Sequence, residues 1–230
     1  MDASQFYNVG YMTNRALLRD CVYSQGDAEF APPLPITQRK YLVSFVGMTH
    51  PIPRFYYRTL LYNYIKDKKN TIPEDMLIHF DEWSPKQKHW NDTWLDGSSV
   101  SHTSVMYLSL PGDSPTTDRI FGAFEHLTLI GSLSHEKEDL LVLLPFRPRV
   151  PWEDIIIWID TDAYVKDPLA ACRAAIEALD VKERERRVDL LRKYKREVIW
   201  NYNESVMLFN TLEDARDRVK SLHKGGGKDA

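Results

Sequence analysis

Short apolar segments recur along this chain, separated by amphipathic stretches, and this alternation limits the folds that the chain can adopt. Each segment is rich in β-branched, aromatic or leucine residues and has the length of a buried strand. Helices are predicted between them, where apolar residues repeat at three and four positions. Strands that alternate with helices predict an α/β protein with a Rossmann-like, mainly parallel sheet covered on both faces. The predicted strands are residues 41–47, 76–80, 104–110, 127–131 and 155–159.

Changes in composition mark the limits of this α/β block. Residues 1–35 are polar and end in a proline-rich stretch, which predicts an N-terminal segment and an extended connector. We assign 36–222 to a Rossmann-like domain and the glycine-rich 223–230 to a flexible tail. The predicted helices include residues 54–66, a helix that begins at Asp167–Pro168, and the apolar stripes 188–198 and 206–222.

The charge balance argues against nucleic acid as a partner. Lys plus Arg number 30 and Asp plus Glu number 33, which gives a net charge of -3, whereas nucleic-acid-binding domains carry a basic excess. The two cysteines, Cys21 and Cys172, are too few for a disulfide scaffold or a four-cysteine zinc site. All uninterrupted apolar runs are far shorter than the roughly 18 residues of a membrane-spanning helix. The sequence therefore predicts a soluble chain without a membrane span.

The segment 104–127 has the pattern of a strand, a turn and a helix, and its turn is the leading candidate for a binding site. Gly112 follows the predicted strand, Asp113 or Ser114 can cap the helix, and Pro115 fits the first helical turn. Such a turn presents unpaired backbone N–H groups and the positive end of the helix dipole, which suit a diphosphate. An ordinary, well-capped helix explains the same residues and stays open as the alternative.

Side chains in and after this turn add groups that suit an anion. Thr116 and Thr117 add hydroxyl groups to that of Ser114, and Arg119 adds a guanidinium. In open α/β sheets, ligands bind at the carboxyl ends of the strands, where this turn is expected to lie. A solvated surface charge is the alternative role for the arginine.

The order of motifs around the turn resembles that of the exostosin-like glycosyltransferases. Members of that family carry a strand, a P-x-G-D-S-P-T-S/T turn, an arginine and an F-x-A helix, followed by a strand and an L-P-F segment. This chain has LPGDSPTTDRIFGAFEHLTLIG at 110–131 and LPFRPRVPWEDIIIWI at 144–159. Upstream, KYLVSFVG at 40–47, followed by Arg54 and Arg58, resembles the family's strand and arginine-bearing helix.

The resemblance implies a glycosyltransferase with the GT-B arrangement of two Rossmann-like halves. It implies that this chain is the C-terminal half, which binds the nucleotide-sugar donor, and that it is a fragment or a lone donor-binding half. The missing N-terminal half would bind much of the acceptor and supply the catalytic base, so the catalytic residues of this chain are unknown. The implied donor is a UDP sugar, and the implied acceptor is a hydroxyl of a polysaccharide or glycoprotein glycan. The implied location is the Golgi lumen, where full-length members are mostly membrane-anchored.

The resemblance also implies which residues bind the donor. The turn would form the diphosphate loop, Arg119 would offset phosphate charge, and Arg54 or Arg58 would approach from the neighbouring loop and helix. Many members carry a carboxylate suited to ribose hydroxyls where this chain has Gly122, and Glu125, one turn later, is the expected substitute. The implied donor-binding residues are Gly112, Asp113, Ser114, Pro115, Thr116, Thr117, Arg119, Arg54, Arg58 and Glu125.

Two alternatives stay open. The change at Gly122 and the missing half favour a non-catalytic glycan- or nucleotide-binding module derived from such an enzyme. Asp160 and Asp162 form a D-x-D motif after the strand 155–159, the pattern with which GT-A glycosyltransferases hold a divalent metal on the donor diphosphate. Paired carboxylates suit such a hard cation. Polar residues at the start of a helix explain the same motif, so a divalent metal is possible without being indicated.

Overall fold

A five-stranded parallel sheet lies at the centre of the computed structural model, which describes residues 33–50, 52–67, 69–81, 97–112, 118–147, 149–199, 210–213 and 216. Its strands follow the order β2-β1-β3-β4-β5, and every pair is parallel. The predicted α/β, Rossmann-like sheet is therefore confirmed. The strands are β1 (Tyr41–Met48), β2 (Met76–Asp81), β3 (Ser104–Leu108), β4 (Leu129–Leu133) and β5 (Ile156–Ile159).

Helices cover both faces of this sheet. They are α1 (Tyr56–Lys66), α2 (Gly97–His102), α3 (Asp118–His126), α4 (Lys137–Leu143), α5 (Trp152–Ile155), α6 (Thr161–Lys166), α7 (Pro168–Glu177) and α8 (Val181–Val198). The helix α2 contacts β1 and β3, α3 contacts β3 and β4, and α8 packs on α3 and β4. The helix α7 contacts β1 and β5. Because parallel crossovers are right-handed, the opposite directions of the β1-to-β2 and β3-to-β4 steps place α1 and α3 on opposite faces.

The core follows directly from the apolar strand segments. Every residue of β3 and β4 is buried, as expected for strands covered on both faces. Met106, Leu108 and Leu133 are fully buried, and burying each such side chain contributes about 1.5–3 kcal/mol. Gly131 of β4 leaves room for this packing, since a Cβ there would lie 2.8 Å from the sulfur of Met106.

Most of the predicted elements are observed, with shifted boundaries at β4. The strand was expected at 127–131 and runs from Leu129 to Leu133, because Leu127 has a positive φ of 51° and turns the chain after α3. Asp167 caps α7 as expected, its carboxylate accepting a hydrogen bond from the backbone N–H of Ala170 at 2.9 Å. Residues 210–213 of the predicted last helix are helical. The segments 1–32 and 223–230 lie outside the described residues.

One buried arginine holds the amino-terminal edge of the sheet together. The Nη1 group of Arg39 donates to the carbonyl of Ser104 at 2.8 Å and to Oγ1 of Thr128 at 3.0 Å. Its Nη2 group donates to the carbonyls of Leu127 and His126 at 3.0 and 3.2 Å. Burial lowers the pKa of Arg39 to about 10. The start of β3 and the turn between α3 and β4 are thus fixed to one side chain.

No helix in the described part of the chain is both long enough and apolar enough to cross a lipid bilayer.

Candidate functional site at the carboxyl edge of the sheet

The strand order changes direction between β1 and β3, and the two strands separate there. Their pairing ends at Ser44 and Tyr107, although β1 continues to Met48 alongside β2. In open α/β sheets, ligands bind at this kind of switch point, outside the carboxyl ends of the strands. Arg58 lies in the first turn of α1 and Arg119 in the first turn of α3, and both helices begin at this edge.

The guanidinium of Arg119 enters the gap from the β3 side. Its Nε and Nη2 groups donate hydrogen bonds to the carbonyl oxygen of Val46 at 3.0 and 2.7 Å. Its central carbon lies 5.1 Å from the ring centroid of Phe45, within the range of a cation–π contact. The side chain is half-buried. Its Nη1 group makes no hydrogen bond, and its charge no ion pair, with any residue in the described ranges.

The guanidinium of Arg58 enters the same gap from the β1 side. Its Nε and Nη2 groups donate to the carbonyl oxygen of Leu110 at 3.2 and 2.8 Å, and Nη1 donates to that of Met48 at 3.5 Å. Its central carbon lies 5.1 Å from the ring of Phe55 and 5.9 Å from that of Phe45. With 6% of its surface exposed, Arg58 is a buried charge rather than a solvated one.

The two arginines are bound in a reciprocal arrangement. Arg58, on the helix after β1, binds a carbonyl just beyond the end of β3, and Arg119, on the helix after β3, binds a carbonyl near the end of β1. Hydrogen bonds that involve a charged donor contribute about 1.5–3 kcal/mol each. The pair therefore stabilises the separated strands and concentrates positive charge at the switch point.

Two glycines permit this close approach of guanidinium groups to the backbone. A Cβ on Gly112 would lie 2.5 Å from Nη2 and 2.8 Å from the central carbon of Arg58. A Cβ on Gly47 would overlap Nη2 of Arg119. Neither glycine has a positive φ. Both positions therefore require glycine because there is no space for a side chain, and not because of the backbone conformation. The sequence singled out Gly112 but not Gly47 or Phe45. The one sign of this part of the site was a glycine near the end of an apolar strand.

The predicted diphosphate loop is described only at its ends. Asp113, Ser114, Pro115, Thr116 and Thr117 lie outside the described residues. Gly112, which precedes them, is buried beside Arg58, and α3 begins directly after them at Asp118.

The two other donor-binding candidates that the structure describes are Arg54 and Glu125. Arg54 is exposed on a short 3-10 helix, Pro53–Phe55, before α1. Glu125 lies in the last turn of α3, about 9 Å further along the helix axis than Arg119, and its carbonyl oxygen accepts a hydrogen bond from Nζ of Lys195 at 3.4 Å. A Cβ on Gly122 would contact no atom within 4 Å. The structure thus brings Arg58, Arg119 and Gly112 together, and places Glu125 towards the other end of α3.

The D-x-D motif lies at the start of α6. Asp160 is the capping residue, because its carboxylate accepts a hydrogen bond from the backbone N–H of Ala163 at 2.7 Å. Asp162 lies in the first turn of the same helix. Within the ranges that the structure describes, no group of three or more His, Cys, Asp or Glu side chains is arranged to hold a metal ion.

A second polar region, which the sequence analysis did not identify, lies where β4 and β5 end. The hydroxyls of Ser134 and Thr161 are 3.2 Å apart, and Thr161 Oγ1 accepts a hydrogen bond from the backbone N–H of His135 at 3.0 Å. Burial raises the pKa of Glu136, and burial together with the charge of Glu136 raises the pKa of Tyr57, the neighbour of Arg58 on α1. The carboxyl edge is therefore basic at β1 and β3 and carries carboxylates at β4 and β5.

A comparison with models of known protein families finds no match to this chain, and a comparison with curated proteins finds none either.

Proposed function

We propose that this chain binds the diphosphate of a nucleotide sugar at the gap between β1 and β3, as the donor-binding half of an exostosin-like glycosyltransferase. The observation that supports this most is the position of Arg119. Its guanidinium is fixed at the switch point of the sheet, and it forms no ion pair with a described residue. A fixed guanidinium binds phosphate oxygens with less loss of conformational entropy than a free one.

The arginine pair divides into two roles under this proposal. Arg58 is buried and uses its donors on backbone carbonyls, so it shapes the end of β3 without touching the ligand. Arg119 is half-exposed, and its Nη1 group makes no hydrogen bond with a residue that the structure describes, so Nη1 is the donor assigned to a phosphate oxygen. During transfer, this charge stabilises the departing nucleoside diphosphate, which is an electrostatic contribution to catalysis.

The remainder of the reaction rests on the resemblance in sequence. The donor is then a UDP sugar, the acceptor a glycan hydroxyl, and the base belongs to an N-terminal Rossmann-like half in a GT-B arrangement. The setting for the full-length protein is the Golgi lumen.

Calorimetric titration with UDP tests the proposal. We expect saturable binding by the unaltered chain and binding at least tenfold weaker by Arg119→Met, which keeps the length of the side chain. Arg192→Met is the matched control, because Arg192 is exposed on α8 and forms an ion pair with Asp189. Absence of binding at millimolar UDP, or equal binding by both variants, would contradict the proposal.

A non-catalytic binding module is the second candidate, favoured by the surroundings of Gly122. That position faces open space and offers no carboxylate to a ribose, and Glu125 lies further along α3. Binding of UDP without sugar transfer, in a chain joined to the N-terminal half of a related enzyme, would favour this candidate. Sugar transfer by the same protein would exclude it.

A further inference from the structure

A glycine inside β1 lacks an explanation in the strand itself. Gly47 pairs with Phe80 of β2, and glycine weakens a strand because it adds backbone entropy and no packing. Its φ is not positive, so the backbone conformation does not require glycine. Glycines of this kind often mark the close approach of another group, and here that group is the guanidinium of Arg119.

Three features of β1 fix the position of this guanidinium. The carbonyl of Val46 accepts two of its N–H groups, and the ring of Phe45 lies 5.1 Å from its central carbon. Gly47 supplies the space, since a Cβ there would overlap Nη2 and lie 2.9 Å from Cζ of Phe45. The group left over is Nη1, which makes no hydrogen bond with the residues that the structure describes.

We infer that Gly47 is a positioning residue for diphosphate binding. Its missing side chain lets Arg119 lie against Val46 and Phe45, and this position presents Nη1 to a phosphate oxygen. Gly47 touches no ligand and acts only through Arg119. The inference rests on the proposed function for the identity of the ligand.

Gly112 provides the comparison within the same site. A Cβ at Gly112 would meet Arg58, whose Nε and Nη2 groups are already bound to the carbonyl of Leu110. A side chain at 112 would therefore disturb a buried structural contact. A side chain at 47 would displace the half-exposed arginine that we assign to the ligand.

The test is a double-mutant cycle on UDP affinity, measured by calorimetry with Gly47→Ala, Arg119→Met and both together. We expect Gly47→Ala to weaken UDP binding about tenfold in the unaltered chain and to change it less than twofold in the Arg119→Met background. A merely structural glycine would weaken binding by the same factor in both backgrounds. Arg192→Met is the control, because Arg192 is exposed on α8 and lies outside the proposed site, and it should leave the affinity for UDP unchanged.

A stability measurement covers the case in which Gly47→Ala does not fold. The flexible methionine of Arg119→Met removes the overlap with Nη2, while the contact with Cζ of Phe45 stays. The double variant should therefore unfold at a higher temperature than Gly47→Ala alone. A double variant that is equally unfolded would overturn the inference.

The outcomes separate the two proposals. If the unaltered chain binds UDP and Gly47→Ala binds it equally well, the positioning role is overturned while the proposed function stands. If the unaltered chain does not bind UDP, both are overturned. If Gly47→Ala weakens UDP binding in the unaltered chain but has no effect once Arg119 is replaced, both proposals are supported.

Discussion

The carbonyl oxygen of Val46 accepts two hydrogen bonds from the guanidinium of Arg119, at 3.0 and 2.7 Å. Arg58 makes the reciprocal contact with the carbonyl of Leu110. Each arginine thus reaches across the sheet to the strand that precedes the other's helix. The gap between β1 and β3, which in other open α/β sheets receives a ligand, is lined here by two positive charges above one phenylalanine ring.

Replacing Arg58 with methionine should destabilise the protein. The change keeps the length of the side chain but leaves the carbonyl of Leu110 without its donor in a buried position. The expected loss is about 2–4 kcal/mol in the free energy of unfolding, measured by urea denaturation. Arg192→Met, at an exposed site on α8, should change this free energy by less than about 1 kcal/mol. Equal losses at both positions would show that Arg58 does not hold the strands.

Arg39→Met should be more damaging still, by about 3–5 kcal/mol in the free energy of unfolding. Its guanidinium binds oxygens of Ser104, Thr128 and Leu127, among others, at the amino edge of the sheet. Arg39→Lys should not restore the loss, because a single ammonium lacks the planar set of donors. Lys40→Met, at the exposed neighbouring residue, is the control and should stay within about 0.5 kcal/mol. Recovery of the lost stability in Arg39→Lys would contradict a role for several guanidinium hydrogen bonds at this edge.

Alanine at two glycines should have opposite effects on stability. Gly122→Ala should stabilise the protein by up to about 1 kcal/mol, because the position is helical and its Cβ would meet nothing within 4 Å. Gly112→Ala should destabilise it, because the added carbon would lie 2.5 Å from Nη2 of Arg58. Thermal unfolding of both variants, compared with the unaltered chain, measures the two effects. A stabilising Gly112→Ala would mean that Arg58 does not occupy this position.

Glu136 should make the protein less stable as the pH rises. Burial raises its pKa above the ordinary value of 4.5; Asp139 adds to this shift, and His135 opposes it. Above pH 4.5 the folded state therefore binds more protons than the unfolded state, and each further rise in pH costs stability until the raised pKa is passed. Glu136→Gln removes this contribution. Its stability relative to the unaltered chain should increase from pH 4.5 upwards, as measured by urea denaturation; a constant difference would contradict the shifted pKa.

The sequence predicted those parts of the fold that depend on local pattern. The strand β1 and the capped start of α7 at Asp167 follow from apolar runs and from capping chemistry, which act within a few residues. The helices α4 and α5 were missed because each has seven residues or fewer and shows too few turns for a helical period. The boundary of β4 was wrong by two residues because the chain turns at Leu127, whose φ is positive and whose carbonyl accepts a hydrogen bond from Arg39.

The candidate site was predicted only in part. The strand-turn-helix pattern singled out Gly112 and Arg119, and the resemblance to the exostosin-like family pointed to Arg54 or Arg58. It did not predict the roles of Phe45 and Gly47, since these depend on which carbonyl each guanidinium reaches across the sheet. Contacts between segments far apart in the chain carry no periodic signal.

The most direct test of the diphosphate site compares the affinities of the chain for UDP and for uridine, which lacks the phosphates. The account predicts that UDP binds at least tenfold more tightly than uridine, and that Arg119→Met removes most of this difference while affecting uridine little. Equal affinities for UDP and uridine, or a difference that Arg119→Met leaves unchanged, would contradict it.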